Sequence, residues 1–183
     1  MSGFLYKTIK NNKKIIKSNT FPFNTNKYKC KKNISIIGIG GNVGDSKRLF
    51  NHLLFKIRRD GIMKILATSV LYKNPPFGYT KQAYFYNSII LVSTKLQPYE
   101  LLRYIQSLEK KFRRKREFKD APRTLDLDII FYEKRVINDF PKLIIPHYGW
   151  KSRESVLKPL KYLKGNRCLK RVLSHPHLLK LIN

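Results

Sequence analysis

The sequence predicts an α/β (α+β) chain in which one antiparallel sheet alternates with two amphipathic helices in the order βαββαβ. Three observations carry that expectation. Short runs rich in Ile, Val, Tyr and Phe alternate with turn residues, and two segments of helical apolar spacing lie between them. The length of 183 residues suits one domain with a sizeable core. An apolar fraction of 42% is ordinary for a globular protein, which argues against disorder despite the charge.

The elements follow from Asn33 onward. "ISIIGIG" (34–40) is a β-branched run ending in glycines, hence a strand and a turn. "GDSKRLFNHLLFKIRRDG" (44–61) offers Asp45 or Ser46 as N-cap, helical apolar spacing, and Gly61 as stop. "IMKILATSVLY" (62–72) reads as a second strand, broken by the prolines and glycine of "KNPPFGYTKQ". "YFYNSIILVST" (84–94) is the third strand. "QPYELLRYIQSLEKKFRR" (97–114) is a helix with Pro98 in its first turn. "TLDLDIIFYE" (124–133) is the fourth strand. The order implies a ferredoxin-like βαββαβ sandwich with its helices on one face of the sheet. The C-terminal region, 134–183, reads as irregular, with short helices around 150–160 and 175–182.

Residues 1–33 stand apart. They hold nine lysines and no acid, with few spaced apolar positions. They read as a basic, solvated extension to a single domain at 34–183. The absence of arginine speaks against an organellar presequence. No apolar run approaches the length of a membrane span, and the N-terminus lacks a secretory apolar core. Cys30 and Cys168 have neither disulfide-framework nor zinc spacing, so both are expected as reduced thiols in a cytoplasmic protein. Net charge +28 and pI near 10.3 point to an anionic partner, a nucleic acid, a membrane surface or a phosphorylated small molecule. AT-rich codon usage also enriches lysine, so charge alone does not decide among them.

Two motifs carry chemistry. "GIGGNVGD" (38–45) follows a strand and opens a helix, but Val43 stands where a dinucleotide fingerprint needs glycine, and no phosphate-loop spacing occurs. "APRTLDLDII" (121–130) places Asp126 and Asp128 one residue apart on a strand, in a chain with only eleven acids, so both carboxylates share a face. Like charges at that distance require a positive partner. A run of Arg113, Arg114, Lys115, Arg116 and Lys119 leads into Arg123 and the pair. Aspartates on a strand suit Mg²⁺, and arginines suit phosphate oxygens, a combination that fits phosphoryl transfer.

Four ordered blocks, "IGGNVGD" (39–45), "SVLYKNPPFGYTKQAYFYN" (69–87), "LEKKFRRKREFKDAPRTLDLDI" (108–129) and "PHYGWKSRESVLKPL" (146–160), resemble the 6-hydroxymethyl-7,8-dihydropterin pyrophosphokinase family of the folate pathway. The resemblance covers about residues 34–162. It implies a ferredoxin-like fold and transfer of pyrophosphate from ATP to the pterin's hydroxymethyl oxygen, leaving AMP. By the same resemblance, Asp126 and Asp128 hold two Mg²⁺ ions, and Arg114, Arg116 and Arg123 face phosphate. Gln106, Glu109, Ile129, His147, Tyr148 and Arg153 belong to the nucleotide side, with Phe118 and Lys119 near it. Asn74, Pro75, Phe77, Phe85 and Asn87 belong to the pterin. Departures are Gly41 for the usual serine, Arg113 for a glycine, a lost tryptophan before Pro122, and Ser155 where a second ring-stacking aromatic belongs, for which Trp150 is a candidate substitute. The expected partners are small-molecule substrates, ATP and the hydroxymethyl-dihydropterin, for a monomer with no nucleic acid or membrane partner. The alternatives are an RNA-binding module on the same fold, motivated by the charge and "YFY" at 84–86, or a family member impaired in catalysis.

Overall fold

A computed structural model describes residues 5–9, 12–25, 33–113 and 121–174. Its elements are β1 (Leu5–Thr8), β2 (Lys14–Lys17), β3 (Phe23–Asn24), β4 (Asn33–Gly41), α1 (Ser46–Asp60), β5 (Met63–Thr68), β6 (Leu71–Asn74), β7 (Phe85–Thr94), α2 (Pro98–Lys111), β8 (Asp126–Tyr132), β9 (Ile137–Asp139), β10 (Leu143–Ile145), α3 (Glu154–Lys161) and α4 (Arg167–Leu173). Local chemistry explains the helix ends. The Asp45 carboxylate accepts from the Arg48 N–H at 3.1 Å to open α1, and Gly61 closes it in the left-handed region at φ 66°. Pro98 opens α2, where the Glu100 carboxylate accepts from the Gln97 N–H at 2.7 Å.

The main sheet runs β1-β2-β6-β7-β4-β8, with β5 also paired to β7 and β3 paired to β5. Every described pairing is antiparallel. The βαββαβ nucleus puts its fourth strand, β8, beside its first, β4; β4 lies beside the third, β7, and β7 beside the second. This is the ferredoxin-like order, as the sequence predicts. The expected single strand at 62–72 is two strands, because Ser69 turns its hydroxyl inward to Ser88 at 2.8 Å and accepts from the Ile89 N–H at 2.9 Å.

Helices cover both faces, whereas the sequence predicts them on one. On the first face Ile37 and Ile39 of β4, Ile90 of β7, and Leu127 and Ile129 of β8 pack against Phe50 and Leu53 of α1 and Leu101 and Ile105 of α2. On the second, Ile34, Ile36, Leu91 and Ile130 pack under Val156 and Leu160 of α3 and Leu169 and Val172 of α4. The central strands are apolar at both parities there, so each face must be covered. The helix expected around 175–182 lies outside the described residues, and α4 precedes it.

The solvated character expected of residues 1–33 does not hold for the part between 14 and 25. β1 and β2 form a hairpin whose second strand pairs with β6. Ile16 and Phe21 are buried in the first core, and the Phe21 ring lies 6.5 Å from that of Phe50. Lysines at both ends disguise this strand, since Lys14 and Lys17 flank the apolar pair Ile15–Ile16. Cys168, buried under the second face, is disulfide-bonded, contrary to the expected thiol; Cys30 lies outside the described residues. Among the described residues, no helix is long and apolar enough to cross a membrane.

Candidate active site

The second sheet face changes character along its strands. Where α3 and α4 end their cover, the face turns from Ile to Gly38 and Gly40 on β4, to Phe85 and Asn87 on β7, and to Asp126 and Asp128 on β8. The register aligns them: Gly40 pairs with both Asn87 and Asp126, and Gly38 with Asp128. Glycine at 40 is a spatial requirement, since a Cβ there would stand 2.9 Å from the Asn87 Oδ1. The result is a cavity of about 610 Å³ floored by these strands.

The cavity brings together most of the expected residues. Asn74, Pro75, Phe77, Phe85, Asn87, Arg123, Asp126, Asp128, His147, Tyr148 and Arg153 all line it. Asp126 and Asp128 share one face, as strand parity dictates, with Leu127 between them buried on the other. The guanidinium of Arg123 brings the positive charge. Its Nε is 2.9 Å from the Asp126 Oδ2, an ion pair without hydrogen-bond alignment, and its carbon lies 5.1 Å over the Phe85 ring. The Asn87 amide donates to the Asn74 Oδ1 at 2.7 Å, and the Asn74 amide donates to the Pro75 carbonyl at 2.8 Å. Phe77 stands at the rim, 89% exposed.

His147 enters from the loop after β10. Burial, with the nearby Arg153 cation, pushes its pKa down to about 4, against the opposing charge of Asp126. It is therefore neutral at pH 7. Its Nδ1 accepts from the Gly149 N–H at 3.2 Å, which leaves the proton on Nε2. Arg153 lies over the Gly149 backbone and the Tyr148 ring, and donates to the Tyr148 hydroxyl at 3.3 Å.

Three expected residues stay outside the cavity lining. Gln106 is on the exposed side of α2. The Ile129 side chain points into the first core. Glu109 is buried, and its Oε1 accepts from the Leu127 N–H at 2.7 Å. It thus anchors the backbone between the two aspartates. Arg114, Arg116, Phe118 and Lys119 lie outside the described residues. Trp150 does not replace the missing aromatic: it is 4% exposed and packs edge-on against Phe131 at 4.9 Å in the second core.

Sequence reasoning missed other contributors. Asn42 is a buried staple: its Oδ1 accepts from the Arg123 N–H at 2.9 Å, while its amide donates to the Gln82 Oε1 and the Ala83 carbonyl. Its N–H also donates to the Arg123 carbonyl at 2.9 Å. Gly41 permits this approach, since a Cβ would meet the Thr124 carbonyl oxygen at 2.4 Å. The signal is the glycine-rich turn itself, whose Gly41 answers to close backbone approach. Lys13, Ser152 and Glu154 also line the cavity.

Comparison with known proteins agrees with this geometry. The family model described as 7,8-dihydro-6-hydroxymethylpterin-pyrophosphokinase matches residues 36–165. The chain is 40% identical over 144 residues to the 2-amino-4-hydroxy-6-hydroxymethyldihydropteridine pyrophosphokinase of Campylobacter jejuni, covering 79% of this chain and 91% of that one. It is 36% identical over 152 residues to the protein of the same name from Helicobacter pylori, covering 81% and 91%. It is also 37% identical over 147 residues to a mitochondrial folate synthesis bifunctional protein of Arabidopsis thaliana, covering 80% of this chain and 26% of that protein. With the family model matched over residues 36–165 and these relatives, the chain belongs to the 7,8-dihydro-6-hydroxymethylpterin-pyrophosphokinase family, the enzymes of ATP-dependent pyrophosphoryl transfer to that pterin in folate synthesis.

Proposed function

We propose that the cavity seats the pterin against Phe85 and Asn87 and the ATP phosphates against Asp126, Asp128, Arg123 and His147. The observation that carries this reading is the convergence of two same-face carboxylates, an arginine and an aromatic ring on one cavity of about 610 Å³. The Phe85 ring offers a stacking platform, and Asn87, oriented by its bond to Asn74, reads the polar edge of the ring system. Gly40 leaves that amide its room.

Asp126 and Asp128 present the hard oxygen donors that Mg²⁺ prefers, alongside substrate phosphates and water. Two Mg²⁺ ions bound there supply charge neutralisation and lower the proton affinity of the hydroxymethyl oxygen. In the transfer, the hydroxymethyl oxygen bonds to the β-phosphorus and loses its proton. The bond from that phosphorus to the α–β bridging oxygen breaks, and AMP leaves. Arg123, released from Asp126, turns its guanidinium to the transferring phosphates. Neutral His147 donates its Nε2 proton in a hydrogen bond to a phosphate oxygen, and Tyr148 and Arg153 flank the nucleotide. By family resemblance Arg114, Arg116 and Lys119 are assigned to the phosphates, and Gln106 and Ile129 to the nucleoside. Glu109 acts from behind, holding the Leu127 backbone and hence the spacing of the two aspartates. The reading takes residues 34–183 as one catalytic domain and residues 1–33 as its basic extension, in a cytoplasmic monomer.

The test is AMP formation from ATP with and without the pterin alcohol, at saturating Mg²⁺. Pterin-dependent AMP release that stops on chelation and resumes with added Mg²⁺ is expected. AMP release indifferent to pterin, or unaffected by chelation, overturns the reading.

A further inference from the structure

The family-matched segment begins at residue 36, yet the cavity has a wall from before it. Lys13 sits at the turn of the β1–β2 hairpin, one residue ahead of β2, and lines the cavity with Asn74 and Phe85. Its ammonium stands 2.5 Å from the Glu154 Oε2, and the same oxygen accepts from the Tyr72 hydroxyl at 3.0 Å. Tyr72, on β6, is fully buried, and that burial, with the bond to Glu154, raises its pKa to about 12, so the hydroxyl stays a donor. Glu154 opens α3, between Arg153 and Ser155, and all three line the cavity.

The arrangement therefore ties three separate parts of the chain at one carboxylate. β6, which leads directly into Asn74 and Pro75, is joined through Tyr72. The extension is joined through Lys13, and the start of α3 carries the carboxylate itself. Lys13, Glu154 and Ser155 all line the cavity. An exposed ion pair contributes little to stability, typically below about 1 kcal/mol. Lys13 is only 25% exposed, Glu154 49%. What the pair fixes is the position of one cavity wall.

We propose that Lys13 is a positioning residue for the pterin: the N-terminal hairpin, through the Lys13–Glu154–Tyr72 cluster, sets the width of the pterin side of the cavity. This rests on the pterin assignment above. It makes the extension a part of the substrate site rather than an appendage, and it assigns Glu154 the role of hinge between the hairpin and α3.

The experiment uses the full chain and measures kcat, the KM of each substrate and the melting temperature. Lys13→Ala is expected to raise the pterin KM about fivefold, roughly 1 kcal/mol, while kcat and the ATP KM stay within about twofold. Lys13→Arg restores the pterin KM, because it keeps the charge and the reach. Lys13→Glu alone is impaired, and Lys13→Glu combined with Glu154→Lys recovers part of the loss. A pterin KM unchanged in Lys13→Ala overturns the inference, whether or not the melting temperature falls, since a fall alone marks a merely structural role. If kcat drops with KM unchanged, the positioning role is likewise wrong. A wild-type chain that shows no pterin-dependent AMP release overturns the functional reading instead, so the two failures are distinct.

Discussion

Asp126, Leu127 and Asp128 are consecutive residues of one strand, yet they belong to different regions of the molecule. Leu127 faces the apolar core beneath α1 and α2, and its backbone is pinned by the buried Glu109. The two aspartates face the cavity on the other side of the sheet, where glycines replace isoleucines on the adjoining strand. Strand parity separates the two tasks by a single residue. The core side fixes where the strand lies; the cavity side carries charge that the fold itself does not need.

Substitutions on the two sides should part accordingly. The largest effect is expected from Asp126→Ala and Asp128→Ala, each lowering pterin-dependent AMP formation on the order of 10³-fold or more while the melting temperature holds or rises. Turnover near wild type in either would break the division of labour. Leu127→Ala should do the reverse. It removes buried methyl groups from the packed face and costs about 3 kcal/mol in chemical denaturation, with the folded fraction retaining its pterin KM within about twofold. A collapse of that KM would mean the core side also shapes the cavity.

A smaller effect is expected at Gly40, where the two regions meet. Gly40→Ala pushes a methyl against the Asn87 Oδ1 and should raise the pterin KM roughly tenfold, with the ATP KM less affected. An unchanged pterin KM would remove Asn87 from ring recognition. The smallest effect is a pH dependence. His147 titrates near 4 in the folded chain against an ordinary 6.5, so between those values the unfolded chain binds a proton that the folded chain does not. Stability therefore rises with pH across that window and falls as acid is added, by on the order of 1 kcal/mol after solvent screening. His147→Asn should flatten that slope in urea titrations from pH 4 to 6.5; an undiminished slope would place the titration elsewhere.

The nucleus of the fold was legible because its signals are local: apolar parity, an Asp45 cap, Gly61 as stop, Pro98 at a helix start. The aspartate pair was legible for the same reason, since sharing a face follows from spacing alone. What sequence could not supply was distance-dependent. Nothing near Lys13 announces a cavity residue, because its place depends on a hairpin folding back 141 positions from its partner Glu154. Ile15 and Ile16 hide among lysines, so β2 was read as solvated. Glu109 was expected at the nucleotide, yet its helix face turns it onto the Leu127 backbone. Trp150 looked available for stacking only because its core partner, Phe131, is remote in sequence.

Asn42 has one more consequence. Its side chain holds the Arg123 backbone with its oxygen and the Gln82–Ala83 segment with its nitrogen, so the cavity arginine and the loop after Phe77 share an anchor. If the proposed ATP and pterin sites are coupled through this anchor, the coupling is reciprocal: whatever factor ATP adds to pterin affinity, pterin adds to ATP affinity. Calorimetry of each ligand with and without a non-reactive partner measures that factor. In Asn42→Ala it should shrink towards one even where single-ligand affinities persist, and a coupling factor equal to wild type would show that the anchor carries no message between the sites.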